Sequence, residues 1–252
     1  KLNIAISMGL TVYNSNKKDA EELIKEANSA LHTAKNNDKK IAFFDKKAEE
    51  MALAHVDMYN DLLHAINNKE FEMFYQLQFN KEQKVYGAEA LIRWQHPQKG
   101  LISPLEFIPL AEKTGLILPL GEWIIKDVCR QLKEWQKDEI ASKWSIAINI
   151  SAKQFKQDDF LENLIQEIQK NGIRPQNIKL ELTESLLVEN IDEIIKKMKK
   201  IRDFGMKISL DDFGTGYSSL AYLKNLPIDQ IKIDQTFVKN ILFDKKDEAI
   251  IR

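Results

Sequence analysis

The sequence predicts an α/β protein: a parallel sheet closed as a TIM-type βα barrel, preceded by a small α+β fragment. Three observations carry this. From Glu70 onward, strand-like runs alternate with helical patterns, which is the signature of consecutive βα units. Trp144–Ile150 is almost continuously apolar, as strands buried on both faces are. Polar residues also recur at one end of strand after strand, which favours a barrel over an open sheet, because barrel sites are built from the C-terminal ends of several strands.

The elements follow in order. Leu2–Val12 alternates apolar and small residues and reads as a strand. Asp19–Ala34 has helical spacing, with Leu23, Ala27, Ala30 and Leu31 on one stripe, and Ile41–Phe44 reads as a second strand. A strand, a helix and a strand make a weak core alone, so residues 1–45 are expected to be the end of a larger domain. Residues 46–69 are charged at first and then helical, with Met51, Val56, Met58, Leu62, Leu63 and Ile66, and read as a connecting helix. His55 and His64 lie on it with no second ligand at metal spacing, so they read as helix-face residues.

The main domain is expected over 70–252. Its strands are predicted at Phe71–Phe79, Val85–Trp94, Trp144–Ile150, Ile178–Leu182, Lys207–Leu210 and Gln230–Ile233. Its helices are predicted at Pro104–Lys113, Gly121–Lys137, Phe160–Lys170, Ile191–Phe204, Tyr217–Leu223 and from Thr236 to Ile241.

The strand ends hold the candidate chemistry. The second strand of this domain gives Glu89 and, on the same face, Arg93; the third closes with Asn149 and Ser151. The fourth gives Glu181, then Thr183 and Glu184, and the sixth places Lys232 between two isoleucines. The fifth runs into Asp211-Asp212-Phe213-Gly214. Neighbouring strand residues point to opposite faces, so Asp211 and Asp212 serve one centre only where the strand ends and bends. Unscreened, the two would repel and one would keep its proton; a hard divalent cation with oxygen ligands removes the conflict.

Composition excludes several classes. With 37 basic and 38 acidic residues, the chain has no general electrostatic attraction to nucleic-acid polymers or membranes. The single cysteine, Cys129, rules out an internal disulfide framework and reads as core filler in an apolar helix. No apolar run approaches the length of a membrane span, and no signal peptide opens the chain, so a cytoplasmic setting is expected, with membrane contact only through segments beyond those given.

Two resemblances sharpen the reading. IAISMGLTVY, a helix ending ANSALHTAK, and IAFFD resemble the C-terminal part of GGDEF domains. The GGDEF signature itself is absent, Ala27-Asn28 stands where the family has Ala-Asp, and Asp38-Lys39-Lys40 replaces its Gly-Arg-Asn, so no cyclase activity is expected of this stretch. The second resemblance is more specific. EALIRWQHP, PLEFIPLAEKTGLI, Asn149-Ile150-Ser151 with Gln154-Phe155, ELTES, DDFGTGYSSL and IKID occur in the order and spacing of an EAL domain, from about Phe71 to the chain end.

That resemblance implies a cyclic di-GMP phosphodiesterase on a modified eight-stranded βα barrel whose first strand runs against the others. It implies that Glu89, Asn149, Glu181 and Asp211 hold one Mg²⁺ or Mn²⁺, and that Asp211 and Asp212 hold a second. Lys232 is the implied holder of the attacking water and Glu184 a support for the loop after the fourth strand. Arg93 is an implied phosphate contact, and Gln76 a lining residue of the substrate groove. Leu77 stands where the family usually has proline. The expected product is linear pGpG, and a homodimer is the expected assembly. The family's seventh-strand glutamate has no counterpart before Arg252, so the chain is expected to be an excerpt, with its barrel lacking the last strands. An inactive EAL domain serving as a cyclic di-GMP receptor is the alternative.

Overall fold

The computed structural model describes residues 6–13, 19–36, 40–188, 190–214 and 225–240. The chain divides into two compact units, Lys1–Asp61 and Leu62–Arg252.

In the first unit, β1 (Met8–Leu10) pairs in parallel with β2 (Ile41–Phe43), and α1 (Ala20–Asn36) connects them. Gly9 lies so close to the backbone of Ala27 and Leu31 that a Cβ would collide with both. The absence of a side chain there lets helix and strand touch. Met8, Leu10, Ile41 and Phe43 face away from that contact and are exposed. The expected long first strand is thus only Met8–Leu10 among the described residues. A single continuous helix, α2, runs from Lys46 to Asn68.

Among the described residues, the second unit is a seven-stranded sheet with β3 (Phe71–Phe79), β4 (Val85–His96), β6 (Ser145–Ile150), β7 (Ile178–Thr183), β8 (Lys207–Phe213) and β9 (Gln230–Ile233) in that order and β5 (Gly100–Ile102) against β4. β3 and β4 are antiparallel, whereas β4, β6, β7, β8 and β9 run parallel. The crossovers are helices: α3 (Pro104–Thr114) and α4 (Ile117–Trp135), then a short α5 (Ala152–Phe155) and α6 (Phe160–Asn171), then α7 (Ile191–Asp203). This is the α/β architecture of a TIM-like barrel that the strand-helix alternation predicts.

The helices bury one stripe each. Leu161, Leu164 and Ile168 of α6, and Ile194, Met198 and Ile201 of α7, pack on Ile146, Ile148, Leu180, Leu182 and Ile208 of the sheet. Burying a single such side chain contributes roughly 1.5–3 kcal/mol, so this layer sets the position of every strand end above it.

Several ends are well capped. Ser103 accepts from the backbone of Leu105 and forms a capping box with Glu106, Pro104 begins the helix, and Gly115 ends it at φ 88°. The predicted helix at Gly121 instead begins at Ile117. Gly121 is a packing residue, because a Cβ on it would strike the Gln154 side chain.

Two further differences bear on the site. The three-residue strand β5 (Gly100–Ile102), folded back on β4, has no periodic run long enough to announce it. The strand predicted at Lys207–Leu210 runs on through both aspartates to Phe213. The predicted bend survives as an irregularity inside the strand: pairing with β9 shifts register between Leu210 and Phe213, and Asp212 has φ 54°. The helix expected at Tyr217–Leu223 lies outside the described residues.

Candidate active site

Register brings the polar strand residues together. Gln76 pairs with Glu89 across β3 and β4, Asn149 with Glu181 across β6 and β7, and Thr183 with Asp211 across β7 and β8. Alternation then directs Glu89, Asn149, Glu181 and Asp211 to one face. One oxygen from each of Glu89, Glu181 and Asp211 lies within 4.8 Å of the others. Asn149 Nδ2 donates to Glu89 Oε1 at 2.9 Å.

Lys232 of β9 reaches into the middle of this group. Its ammonium donates to Glu181 Oε2 at 2.7 Å, Asp211 Oδ2 at 2.8 Å and Glu89 Oε2 at 3.1 Å. Burial opposes the charge, but the bonds to Asp211 and Glu181 outweigh it and hold the amine above the usual lysine range. Glu181 is 1% exposed, and that burial pushes its carboxyl up against the opposing pull of Lys232. β7 is buried along nearly its whole length, so Glu181 is a buried carboxylate and not a solvated one.

The group fits a divalent cation. Glu181 Oε1 is buried and has no hydrogen-bond partner among the described residues. An unmatched carboxylate oxygen costs desolvation energy unless something positive meets it. With three carboxylates and an amide, the donors are hard oxygens, which suit a divalent cation of the Mg²⁺ or Mn²⁺ type.

Asp212 stands apart from the three-carboxylate cluster. Burial, then Asp211 and Asp234, raise its carboxyl pKa, while hydrogen bonds from Thr236 hold Asp234 low. The two carboxyls share a hydrogen bond. Glu184 lies in a 3-10 turn after β7, is 5% exposed, and accepts from Gly214 N at 3.1 Å. It therefore ties the turn after β7 to the turn after β8. Ser151 caps α5 reciprocally with Gln154, fixing the chain just after Asn149.

Arg93 and Gln76 lie on the strand pair beside the cluster. Arg93 Nη1 donates to the Ile92 carbonyl at 2.8 Å, and its guanidinium lies 5.4 Å from the centre of the Phe74 ring. Gln76 is exposed. Sequence reasoning missed Lys179, which is 3% exposed and donates to Gln78 at 3.1 Å and Gln230 at 2.8 Å. It also missed Ser209, fully buried in register with Glu181. A period-two count from Glu181 would have placed Lys179 on the same inner face.

Among the described residues, no helix is long and apolar enough to cross a membrane. The EAL domain profile matches residues 59–252. The chain is 36% identical over 253 residues to the bifunctional diguanylate cyclase/cyclic di-GMP phosphodiesterase MucR of Pseudomonas aeruginosa, covering 100% of this chain and 37% of MucR. It is 36% identical over 247 residues to the cyclic di-GMP phosphodiesterase PdeR of Escherichia coli, covering 98% of this chain and 37% of PdeR. The chain thus spans little more than a third of the length of either relative. The solved structure of the PaMucR phosphodiesterase in complex with c-di-GMP superposes with a TM-score of 0.74 at 39% identity, over 77% of this chain and 79% of that one. Strand order, the inward carboxylates and these similarities lead to one assignment: the chain belongs to the EAL domain family.

Proposed function

We propose that this chain hydrolyses cyclic di-GMP to linear pGpG with the help of divalent cations. The observation that carries the reading is the convergence of Glu89, Glu181 and Asp211, with oxygens within 4.8 Å, beside Asn149 and Lys232. Relatives named as cyclic di-GMP phosphodiesterases support the choice of substrate.

Glu89, Asn149, Glu181 and Asp211 would hold one Mg²⁺ or Mn²⁺, and Asp211 with Asp212 would hold a second. Bound there, such ions neutralise charge on the phosphodiester and make water a better nucleophile at neutral pH. Lys232 orients the attacking water from the side of the cluster, its ammonium released from part of its present carboxylate contact. Asn149 and Glu89 keep each other aligned through their hydrogen bond. Arg93 contacts a substrate phosphate after turning from the Ile92 carbonyl, and Gln76 lines the groove beside Glu89. Glu184 restrains the turn that carries Gly214 and thereby the neighbouring Asp212.

In the same reading, residues 1–45 are the end of a GGDEF-like domain, 46–69 connect it, and 70–252 form the EAL domain. The assembly proposed is a homodimer.

The test is a hydrolysis assay with cyclic di-GMP in Mg²⁺ or Mn²⁺, with EDTA as control, using the chain in its complete protein. Turnover to pGpG that stops on chelation supports the reading. Saturable binding without turnover replaces it with a receptor, and absence of binding removes cyclic di-GMP altogether.

A further inference from the structure

A polar cavity lies where the parallel strands begin. It has a volume of about 310 Å³, and Lys143, Arg174 and Lys207 line it together with Tyr86, Ser145 and Asn177. Ser145 and Lys207 are the first residues of β6 and β8, and Asn177 immediately precedes β7. The cavity is therefore at the opposite end of these strands from Asn149, Glu181 and Asp211.

Its charge is one-sided. Among the described residues, the lining contains three cations and no carboxylate, in a chain whose formal net charge is −1. Lys179 adds a buried ammonium behind it: this residue pairs in register with Lys207, and its Nζ lies 5.4 Å from the centre of the Tyr86 ring. A concavity lined by one sign of charge concentrates ions of the other. Arg174 is already positioned, because its guanidinium donates to the Ser142 carbonyl at 2.5 Å.

The wall behind the cations is held in place by an amide. Asn177 is 6% exposed, and its Nδ2 donates to the Trp144 carbonyl. The same Nδ2 donates to the Ser142 carbonyl at 3.4 Å, which ties the start of β7 to the 3-10 turn Ala141–Lys143 that carries Lys143. A phosphate presents several anionic oxygens at once, which suits cations held on separate elements around one cavity.

We infer that this cavity is a binding site for a phosphate-bearing small molecule, separate from the carboxylate cluster. Arg174 and Lys207 hold the phosphate oxygens, and Lys143 closes the rim. The inference does not depend on the proposed hydrolytic activity.

The experiment is a titration of the EDTA-treated protein with inorganic phosphate and with a nucleoside monophosphate, each against chloride at equal ionic strength. Heat of binding and amide chemical shifts are read together. Saturable binding with shifts at Ser145, Asn177 and Lys207 is expected, and the tighter of the two ligands distinguishes free phosphate from a phosphomonoester. Lys207→Gln should weaken binding about tenfold, the loss of one charge-assisted hydrogen bond. Lys207→Arg should restore most of it, and Asp211→Asn should leave it unchanged. The site is refuted by a response no larger than that of chloride. It is equally refuted by shifts scattered over the lysine-rich surface, or by binding that Asp211→Asn removes and Lys207→Gln spares. The wild-type shift map decides the matter even where a variant fails to fold.

Discussion

At one end of the parallel strands, three carboxylates surround a single ammonium at 2.7–3.1 Å. At the other end, three cations line a cavity that has no carboxylate among the described residues. Strand periodicity places the carboxylates on one face, whereas among the cations only Lys207 lies on a strand and Lys143 and Arg174 stand on or beside short 3-10 turns. The two ends differ in how charge is matched. The carboxylate end is only partly compensated by the one ammonium of Lys232 and leaves one oxygen of Glu181 unmatched. The cationic end leaves its compensation to something outside the chain. A shared scaffold thus holds one site poised to exchange an internal cation and one that awaits an anion.

The comparison breaks most directly at Asp211. Asp211→Asn removes a charge at the point where Glu89, Glu181 and Lys232 meet, and hydrolysis of cyclic di-GMP should fall at least about a thousandfold. Steady-state turnover with saturating Mg²⁺ or Mn²⁺ measures this, and near-native rates would discard the cluster as the catalytic centre.

Lys232→Met tests the matching itself. Without the ammonium, three partly buried carboxylates face one another, and the metal-free protein should lose about 3 kcal/mol. Urea unfolding in EDTA reads the loss. Addition of a divalent cation should stabilise the variant more than the wild type, because a cation then fills the position the lysine held. Equal stabilisation would mean the lysine never compensated the cluster.

A pH series sharpens the same point. Lys232 is held above the ordinary value of 10.5, so its contribution to stability is complete below that pH and is lost as pH rises through the higher folded-state value. The metal-free wild type should therefore lose stability above about pH 10.5 more steeply than Lys232→Met. Parallel alkaline curves would contradict the assignment.

The smallest effect is expected at Glu184. Glu184→Gln keeps an acceptor for Gly214 N but removes its charge, and should cost about 1 kcal/mol, with turnover reduced only severalfold. Amide exchange at Gly214 should rise in the variant, and unchanged exchange would show that the bond does not restrain the turn.

Much of this was legible in the residues. Alternating runs predicted the parallel strands, and the polar ends of those runs marked Glu89, Asn149, Glu181, Asp211 and Lys232. The cationic end was not visible, because Lys143, Arg174 and Lys207 lie far apart in sequence and each alone reads as an ordinary surface charge. Lys179 was hidden for a different reason: apolar neighbours on both sides make a buried lysine look like the polar face of a half-exposed strand. The position of Lys232 at the centre of three carboxylates depends on how strands from distant parts of the chain are ordered, which local pattern does not encode.

The left-handed backbone at Asp212 also constrains what substitutions can teach. Asparagine and glycine tolerate that conformation, whereas alanine and β-branched residues do so at a cost. A saturation library at this position should therefore sort into two groups by yield of folded protein before any activity is scored, with Asn and Gly beside the parent. Asp212→Asn is consequently the substitution that isolates the carboxylate, while Asp212→Ala mixes its loss with a distorted chain path.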